Sequence, residues 1–143
     1  MRPGDILEIC LIENDVFSDP WSEDMFITSI LNYWSYVLLE VDKPLILGYL
    51  IGEKVLDEFS IYNLAVRPDY QRQGQGIQFT KKIIEIMQNE GCSKFLLEVR
   101  VSNVKAISLY KKLGFREIYH REGYYKNPQE DAIVMMMNNK EEE

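Results

Sequence analysis

The chain has 143 residues, of which 46% are hydrophobic and 27% are charged, and its formal net charge is −7. This length suits one domain over residues 1–143 with one hydrophobic core, and the composition is typical of a soluble globular protein. General nucleic-acid binding depends on an excess of basic residues that neutralise phosphates, and the net acidic charge argues against it. A membrane span needs roughly 18 consecutive apolar residues, and no run in this sequence approaches that length. We therefore expect a cytoplasmic protein that binds neither nucleic acid nor membrane.

Candidate metal ligands are few. The sequence has two cysteines, Cys10 and Cys92, without a paired spacing, and one histidine, His120. Zinc sites and disulfide frameworks need clusters of such residues, so we expect neither. The acidic end of the chain, residues 139–143, is predicted to be a frayed tail.

The first third of the chain predicts one strand and one helix. Residues Asp5–Ile12 alternate loosely between apolar and polar side chains, which favours a first strand. Ser22 is a candidate N-cap for a helix that runs to about Leu31. Trp21, just before the cap, is placed to pack against Phe26 in the first turn.

Three antiparallel strands are predicted next. Two segments rich in aromatic and aliphatic residues, 33–41 and 44–51, flank Asp42–Lys43 and are typical of a hairpin. Residues 52–57 are then expected to turn the chain into a third strand, 58–66. This strand leads directly into a glycine-containing turn.

The rest of the chain predicts two helices and three strands. Apolar residues at spacings of three and four predict a helix over 76–90, and Asn103 and Gly114 are candidate start and stop signals of a second helix. The strands are expected at 94–100, 115–125 and 131–138, the last two around a loop at 123–128. The fold class is therefore α/β (α+β), a mixed, mainly antiparallel sheet with helices on both faces.

The glycine-containing turn, Gln71–Gly76, is predicted to bind an anion. A strand, a tight turn and a helix start present free N–H groups and the positive end of the helix dipole. Gly74 and Gly76 allow a ligand to approach the backbone closely, and Arg72 adds a cation. A P-loop would need Lys and Ser/Thr after Gly76, and a dinucleotide motif would need a third glycine where Phe79 stands. A phosphate or pyrophosphate of another ligand type is expected.

Two blocks of the sequence together suggest a family. The turn Gln71–Gly76 resembles the acyl-coenzyme A loop of the GCN5-related N-acetyltransferases (GNAT), and Glu98–Asn103 followed by Ala106–Phe115 resembles the second diagnostic block of that superfamily. Around this block, Leu97–Arg100 and Leu113–Phe115 narrow the resemblance to one type. Pro20–Glu23 and Glu130–Ile133 are similar to the RimI-type ribosomal-protein-alanine N-acetyltransferases. The similarity covers nearly the whole chain in the expected order.

The resemblance implies a reaction and its residues. It implies direct transfer of acetyl from acetyl-coenzyme A, without a metal, to the α-amino group of a protein N-terminus, expected to be a ribosomal protein with a basic N-terminal segment. Glu98 matches the family's base and Tyr110 its acid. The positions that match coenzyme-binding residues are Leu64, Ala65, Val66, Arg72, Gln73, Gly74, Gln75, Gly76, Ile77 and Asn103. Ile77 departs from the basic or small residue often found in related loops, and Gln75 is unusual there and expected to be exposed.

The chemistry can be weighed from the residues themselves. Only a neutral amine attacks a thioester, and the pKa near 8 of an α-amine leaves about a tenth of it neutral at pH 7, far more than for lysine. Glu98 at a strand end could accept the amine proton, and the phenol of Tyr110 could protonate the leaving thiolate. A surface ion pair for Glu98 and a core position for Tyr110 are the plain structural alternatives.

Two other functions stay open on the sequence. The acceptor is a lysine, polyamine or other small amine in the first, because the acceptor groove expected around residues 20–21 and 124–125 cannot be derived from the sequence. In the second, the chain is a non-catalytic acyl-coenzyme A sensor. The oligomeric state is not predicted.

Overall fold

The computed structural model describes residues 1–40, 42–71 and 74–138. Its helices are α1 (Ile6–Val16), α2 (Glu23–Asn32), α3 (Gln75–Asn89) and α4 (Val104–Leu113), and short 3-10 turns precede α1 and α3. Its strands are β1 (Trp34–Leu39), β2 (Ile46–Val55), β3 (Glu58–Val66), β4 (Lys94–Arg100), β5 (Arg116–Tyr125) and β6 (Glu130–Asn138).

The six strands form one sheet in the order β1-β2-β3-β4-β6-β5. The pairs β1–β2, β4–β6 and β5–β6 are antiparallel, whereas β3 and β4 are parallel. The sheet is therefore mixed and mainly antiparallel, as the sequence predicts. None of the helices in the described residues is long and apolar enough to cross a membrane.

The chain divides into two compact units. Unit 1 contains residues 1–53 and 62–80, and unit 2 contains residues 54–61 and the described residues from 81 onward. The prediction of a single domain over 1–143 stays a prediction.

The core of unit 1 is built from α1, α2 and strand residues. Ile9, Ile12, Phe26 and Tyr49 have no exposed surface and pack in one cluster. Ser22 caps α2 by accepting a hydrogen bond from the N–H of Met25 at 3.2 Å. The rings of Trp21 and Phe26 lie 5.3 Å apart, so the predicted packing of Trp21 on the first turn of α2 is confirmed.

Unit 2 contains β4 and its neighbours. Buried and more exposed residues alternate along β4, with Phe95, Leu97 and Val99 buried and Glu98 exposed. Helix α4 starts at the N-cap Asn103, which accepts from the N–H of Ala106 at 3.2 Å, and ends at Gly114 in the left-handed conformation. These features match the predicted two-faced strand and the predicted start and stop of the helix.

The prediction of a first strand over Asp5–Ile12 is wrong, because this segment forms α1. Ile6, Ile9, Ile12 and Glu13 are its buried residues, and their spacing of three and four places them on one side of a helix. Leu7 and Leu11 are exposed, so they mimic alternation without belonging to the core. The order of elements is therefore α-α-β-β-β-α-β-α-β-β.

The other differences concern strand ends. β2 continues through the expected turn to Val55, and only residues 56–57 form the turn before β3. β5 continues through Gly123 to Tyr125, so the loop before β6 shortens to residues 126–129. Val41, in the expected hairpin, and the expected tail 139–143 lie outside the described residues.

Candidate active site

The predicted pantetheine-binding segment of unit 1 lies at the end of β3. Ala65 and Val66 are 4% and 8% exposed, and Leu64 is half-buried. The parallel ladder with β4 joins residues 58–61 to residues 94–97, and Leu64, Ala65 and Val66 lie beyond its last pair. The carbonyl oxygen of Val66 accepts a hydrogen bond from the Gln71 side chain at 3.0 Å, and the pantetheine-binding roles of the three residues stay predictions.

The glycine turn leads from β3 to α3 within unit 1. Gly74 has φ +77°, in the region that favours glycine, and a Cβ built there would meet nothing within 4 Å. The N–H of Gln78 donates to the carbonyl of Gly74 at 3.1 Å, so Gln75, Gly76 and Ile77 form the first turn of α3. Arg72 and Gln73 lie outside the described residues, and their roles stay predictions.

This first turn fits a phosphate-bearing ligand. The N–H groups of a first helical turn have no partner within the helix, and the helix dipole favours an anion there. Gln75 is half-buried rather than exposed as expected, and its Oε1 is buried without a hydrogen-bond partner among the described residues. The two ends of an amide can exchange by rotation, so this side chain can also present its NH₂ group to a phosphate oxygen.

In unit 2, Tyr124 is a hydrogen-bond partner of Glu98. Glu98 is exposed on β4, and the phenol of Tyr124 on β5 is hydrogen-bonded to it. This hydrogen bond is the main reason why the pKa of Tyr124 is raised, and burial contributes to the same shift. A carboxylate that is oriented before the reaction loses less conformational freedom when it takes the proton of a bound amine.

Tyr110, the predicted acid, belongs to the same cluster of unit 2. Its side chain on α4 is 8% exposed and packs on Phe115 with ring centroids 5.8 Å apart. Burial raises the pKa of its phenol, with a smaller contribution from Tyr125. Burial and the charge of Glu98 raise the pKa of Tyr125 to about 12, and Tyr125 packs on Tyr124 with centroids 5.2 Å apart. The tyrosine pair of β5 therefore connects the predicted base and the predicted acid.

Asn103 caps α4 with its Oδ1 atom, which accepts a hydrogen bond from the N–H of Ala106. Its side-chain NH₂ group is a donor that the cap does not use. The two roles that the sequence analysis considers for Asn103, a helix cap and a coenzyme contact, are therefore compatible.

The sequence did not predict the importance of two residues that make several contacts, Glu13 and Arg100. Glu13 in unit 1 is 2% exposed and accepts hydrogen bonds from Tyr49, Asn63 and the N–H of Trp21. Arg100 in unit 2 holds the turn between β5 and β6. Only the position of Arg100, two residues after Glu98 on the same face of β4, was a signal in the sequence. The described residues contain no group of three or more His, Cys, Asp or Glu side chains that could hold a metal ion.

Residues 6–115 match the family described as "Acetyltransferase (GNAT) family". The chain is 39% identical over 129 residues to the [ribosomal protein bS18]-alanine N-acetyltransferase of Escherichia coli strain K12, which covers 88% of this chain and 86% of that protein. The crystal structure of the Escherichia coli ribosomal-protein-S18-alanine N-acetyltransferase superposes with a TM-score of 0.87 at 36% identity, over 96% of this chain and 90% of that one. Arabidopsis thaliana NAA60, solved in complex with acetyl-CoA, shares the fold with a TM-score of 0.87 at 18% identity, over 96% of this chain and 95% of that one.

Proposed function

The chain belongs to the acetyltransferase (GNAT) family and is an acetyl-CoA-dependent N-acetyltransferase, and on that premise we propose that its acceptor is the α-amino group of an N-terminal alanine. We propose a ribosomal protein of the bS18 type, with a basic N-terminal segment, as the substrate. The similarity to the Escherichia coli bS18-alanine enzyme supports this acceptor. The same proposal places the reaction in the cytoplasm.

Glu98 acts as the base in this proposal. An α-ammonium group must lose a proton before its nitrogen can attack the carbonyl carbon of the thioester. The carboxylate of Glu98 takes this proton directly or through one water, and the hydrogen bond from Tyr124 fixes its direction. The observation that carries the proposal is the exposed carboxylate of Glu98 on β4 with the phenol of Tyr124 beside it.

Tyr110 acts on the leaving group. As the new C–N bond forms, the C–S bond breaks and the sulfur of coenzyme A leaves as a thiolate. The phenol of Tyr110 donates a hydrogen bond to this sulfur and stabilises its negative charge, and the thiolate then takes a proton from water. A free phenol has a pKa of about 10 and is protonated at neutral pH. Burial raises the pKa of Tyr110 further, so this phenol is always able to donate the hydrogen bond there.

The coenzyme is held by the main chain in this proposal. Leu64, Ala65 and Val66 hydrogen-bond the pantetheine part, and the first turn of α3 with Gly74 and Arg72 binds the diphosphate. Gln73 and Ile77 belong to the same proposed set of coenzyme-binding residues. Side-chain identity matters little where the contacts are made by N–H and C=O groups.

The test is an acetyl-transfer assay with a peptide that begins with Ala and carries a basic tail, with mass spectrometry to locate the acetyl group. We expect acetylation of the α-nitrogen and a kcat lower by about 10²–10⁴-fold in Glu98→Gln and about 10²-fold in Tyr110→Phe. Gly74→Arg should raise the KM for acetyl-CoA, because φ +77° is strained for arginine and its side chain occupies the turn.

Exposed residues provide matched controls. Glu90→Gln and Tyr119→Phe change the same functional groups at exposed positions and should keep the wild-type rate. Acetylation of a lysine ε-nitrogen instead would replace the proposed acceptor by the second amine class. Acetyl-CoA binding without turnover on any amine would favour the sensor. Unchanged turnover in Glu98→Gln and Tyr110→Phe would remove both catalytic roles.

A further inference from the structure

Arg100 connects β4 to the turn between β5 and β6. One guanidinium nitrogen donates to the carbonyl oxygen of Pro128 at 2.8 Å, and another donates to that of Lys126 at 2.8 Å. The first nitrogen also lies 3.3 Å from a carboxylate oxygen of Glu130. The side chain is 19% exposed, so this planar fork is largely shielded from water. The turn therefore has a fixed position relative to β4.

The same guanidinium lies against the tyrosine pair. Its carbon is 4.4 Å from the centre of the Tyr125 ring, in cation–π geometry. Tyr125 packs on Tyr124, and Tyr124 is hydrogen-bonded to Glu98. Glu98 and Arg100 lie on the same face of β4. The contacts therefore lead from Arg100 through Tyr125 and Tyr124 back to Glu98 on the same strand.

We propose that Arg100 is a positioning residue for acetyl transfer, which holds the 126–129 turn and the Tyr125 ring so that Tyr124 stays hydrogen-bonded to Glu98. The inference rests on the proposed role of Glu98 as the base. An exposed glutamate samples several rotamers, and the phenol selects one of them. Misplacement of a catalytic group by about 1 Å can cost about 10²-fold in rate, so an anchor outside the reacting groups affects kcat.

The charged and titratable side chains around Glu98 and Tyr124 come from four elements. Glu98 and Arg100 lie on β4, Tyr110 on α4, Arg121, Tyr124 and Tyr125 on β5, and Glu130 on β6. Arg121 lies 5.1 Å from the Tyr124 ring centre and lowers the pKa of Tyr124, against the effect of Glu98. Arg100 lowers the pKa of Tyr125. Arg100 therefore affects Glu98 indirectly, through its contact with Tyr125 and the contact of Tyr125 with Tyr124.

The kinetic test compares Arg100→Gln, Tyr124→Phe and the double variant, with Arg2→Gln as the matched control at an exposed site. We expect each single variant to lower kcat by about 10- to 100-fold. The KM for acetyl-CoA should stay within about two-fold. The kcat of the double variant should lie no more than about two-fold below the kcat of the less active single variant, because both changes remove the same hydrogen bond to Glu98. Fully multiplicative losses would overturn the proposal.

A second measurement does not depend on activity. We would label tyrosine at Cζ with ¹³C, follow its titration by NMR, and assign Tyr124 from the signal lost in Tyr124→Phe. The pKa of Tyr124 should fall in Glu98→Gln and also in Arg100→Gln. Removing a cation by itself raises the pKa of a nearby phenol, whereas a weakened hydrogen bond to Glu98 or greater exposure of the Tyr124 ring lowers it. A fall in Arg100→Gln that disappears when Glu98→Gln is also present therefore comes from the hydrogen bond to Glu98. An unchanged or raised pKa of Tyr124 would overturn the proposal.

The two proposals fail separately. Arg100→Lys keeps the charge but loses the fork, so part of kcat and part of the Tyr124 shift should return even if Arg100→Gln folds poorly. A wild-type chain that acetylates no N-terminal peptide would end the proposed function. The tyrosine titration would then still decide whether Arg100 holds Tyr124 on Glu98.

Discussion

At the scale of single residues, burial changes what Tyr110 can do. A free tyrosine phenol has a pKa near 10, and burial raises the pKa of Tyr110 above this value. A cysteine-like thiol has a pKa near 8.5, so complete proton transfer from this phenol to the thiolate is unfavourable. Under the proposed mechanism, Tyr110 therefore stabilises the departing sulfur mainly by donating a hydrogen bond. It remains protonated over the whole range in which the acceptor amine becomes neutral.

Glu13 provides a stability prediction at this scale. Its two oxygens accept from three donors, among them Asn63 Nδ2 and the N–H of Trp21, both at 2.9 Å. Glu13→Gln replaces one oxygen by an NH₂ group, which then faces a donor inside the protein. We expect the free energy of unfolding to fall by about 1–3 kcal/mol, measured by urea denaturation. The exposed control Glu90→Gln should change it by less than about 0.5 kcal/mol.

The contrary result for Glu13 is simple to recognise. An unchanged unfolding midpoint in Glu13→Gln would mean that Tyr49, Asn63 and Trp21 find other partners without cost.

At the scale of elements, the N-cap of α4, Asn103, combines a structural role with a proposed binding role. Asn103→Ala removes the cap and should lower the unfolding free energy by about 1 kcal/mol. Asn103→Asp keeps the capping oxygen but removes the NH₂ donor, so stability should be preserved. If the proposed coenzyme contact is made by this donor, both variants raise the KM for acetyl-CoA by about five-fold. Steady-state kinetics and urea denaturation measure the two effects.

The N-cap of α2 serves as the control for Asn103. Ser22→Ala removes an equivalent hydrogen bond, to the N–H of Met25, and should lower stability by a similar amount. It should leave the KM for acetyl-CoA unchanged. A normal KM in Asn103→Asp would restrict Asn103 to its capping role.

At the scale of the whole molecule, buried tyrosines predict a loss of stability in alkali. The pKa values of Tyr49, Tyr110 and Tyr125 are all raised, mainly by burial, that of Tyr125 to about 12. A phenol in the unfolded chain ionises near pH 10, while the same phenol in the folded chain keeps its proton. The unfolded state then binds fewer protons, so stability is fully present below about pH 10 and falls as the pH rises through the folded values.

The measurement is urea denaturation at pH 8, 10 and 11. Each of these tyrosines contributes a slope of up to about 1.4 kcal/mol per pH unit. Tyr125→Phe should reduce the loss between pH 10 and 11, while Tyr119→Phe, at a residue that is 61% exposed, should leave it unchanged. Equal unfolding free energies of the wild-type chain at pH 8 and 11 would contradict the prediction.

The sequence by itself determined the features that depend on near neighbours. The caps Ser22 and Asn103, the stop at Gly114 and the two faces of β4 involve contacts within a few residues, so their types and spacing are sufficient. The glycine spacing of the acyl-coenzyme A loop is equally local, and with the second block it indicated the family that the comparisons show. Helix α1 was misjudged because the apolar positions of residues 5–12 fit both the strand period and the helix period, and only the core decides which side chains are buried.

Only the tertiary structure decided the contacts between distant parts of the chain. Glu13 meets Asn63 across 50 positions, and Arg100 meets Pro128 across 28. The reason is that burial strengthens a polar contact and depends on how elements pack, which composition and periodicity do not specify. In the proposed role of Arg100, the direction of Glu98 depends on a turn that lies far along the chain, although the sequence had already indicated Glu98 itself.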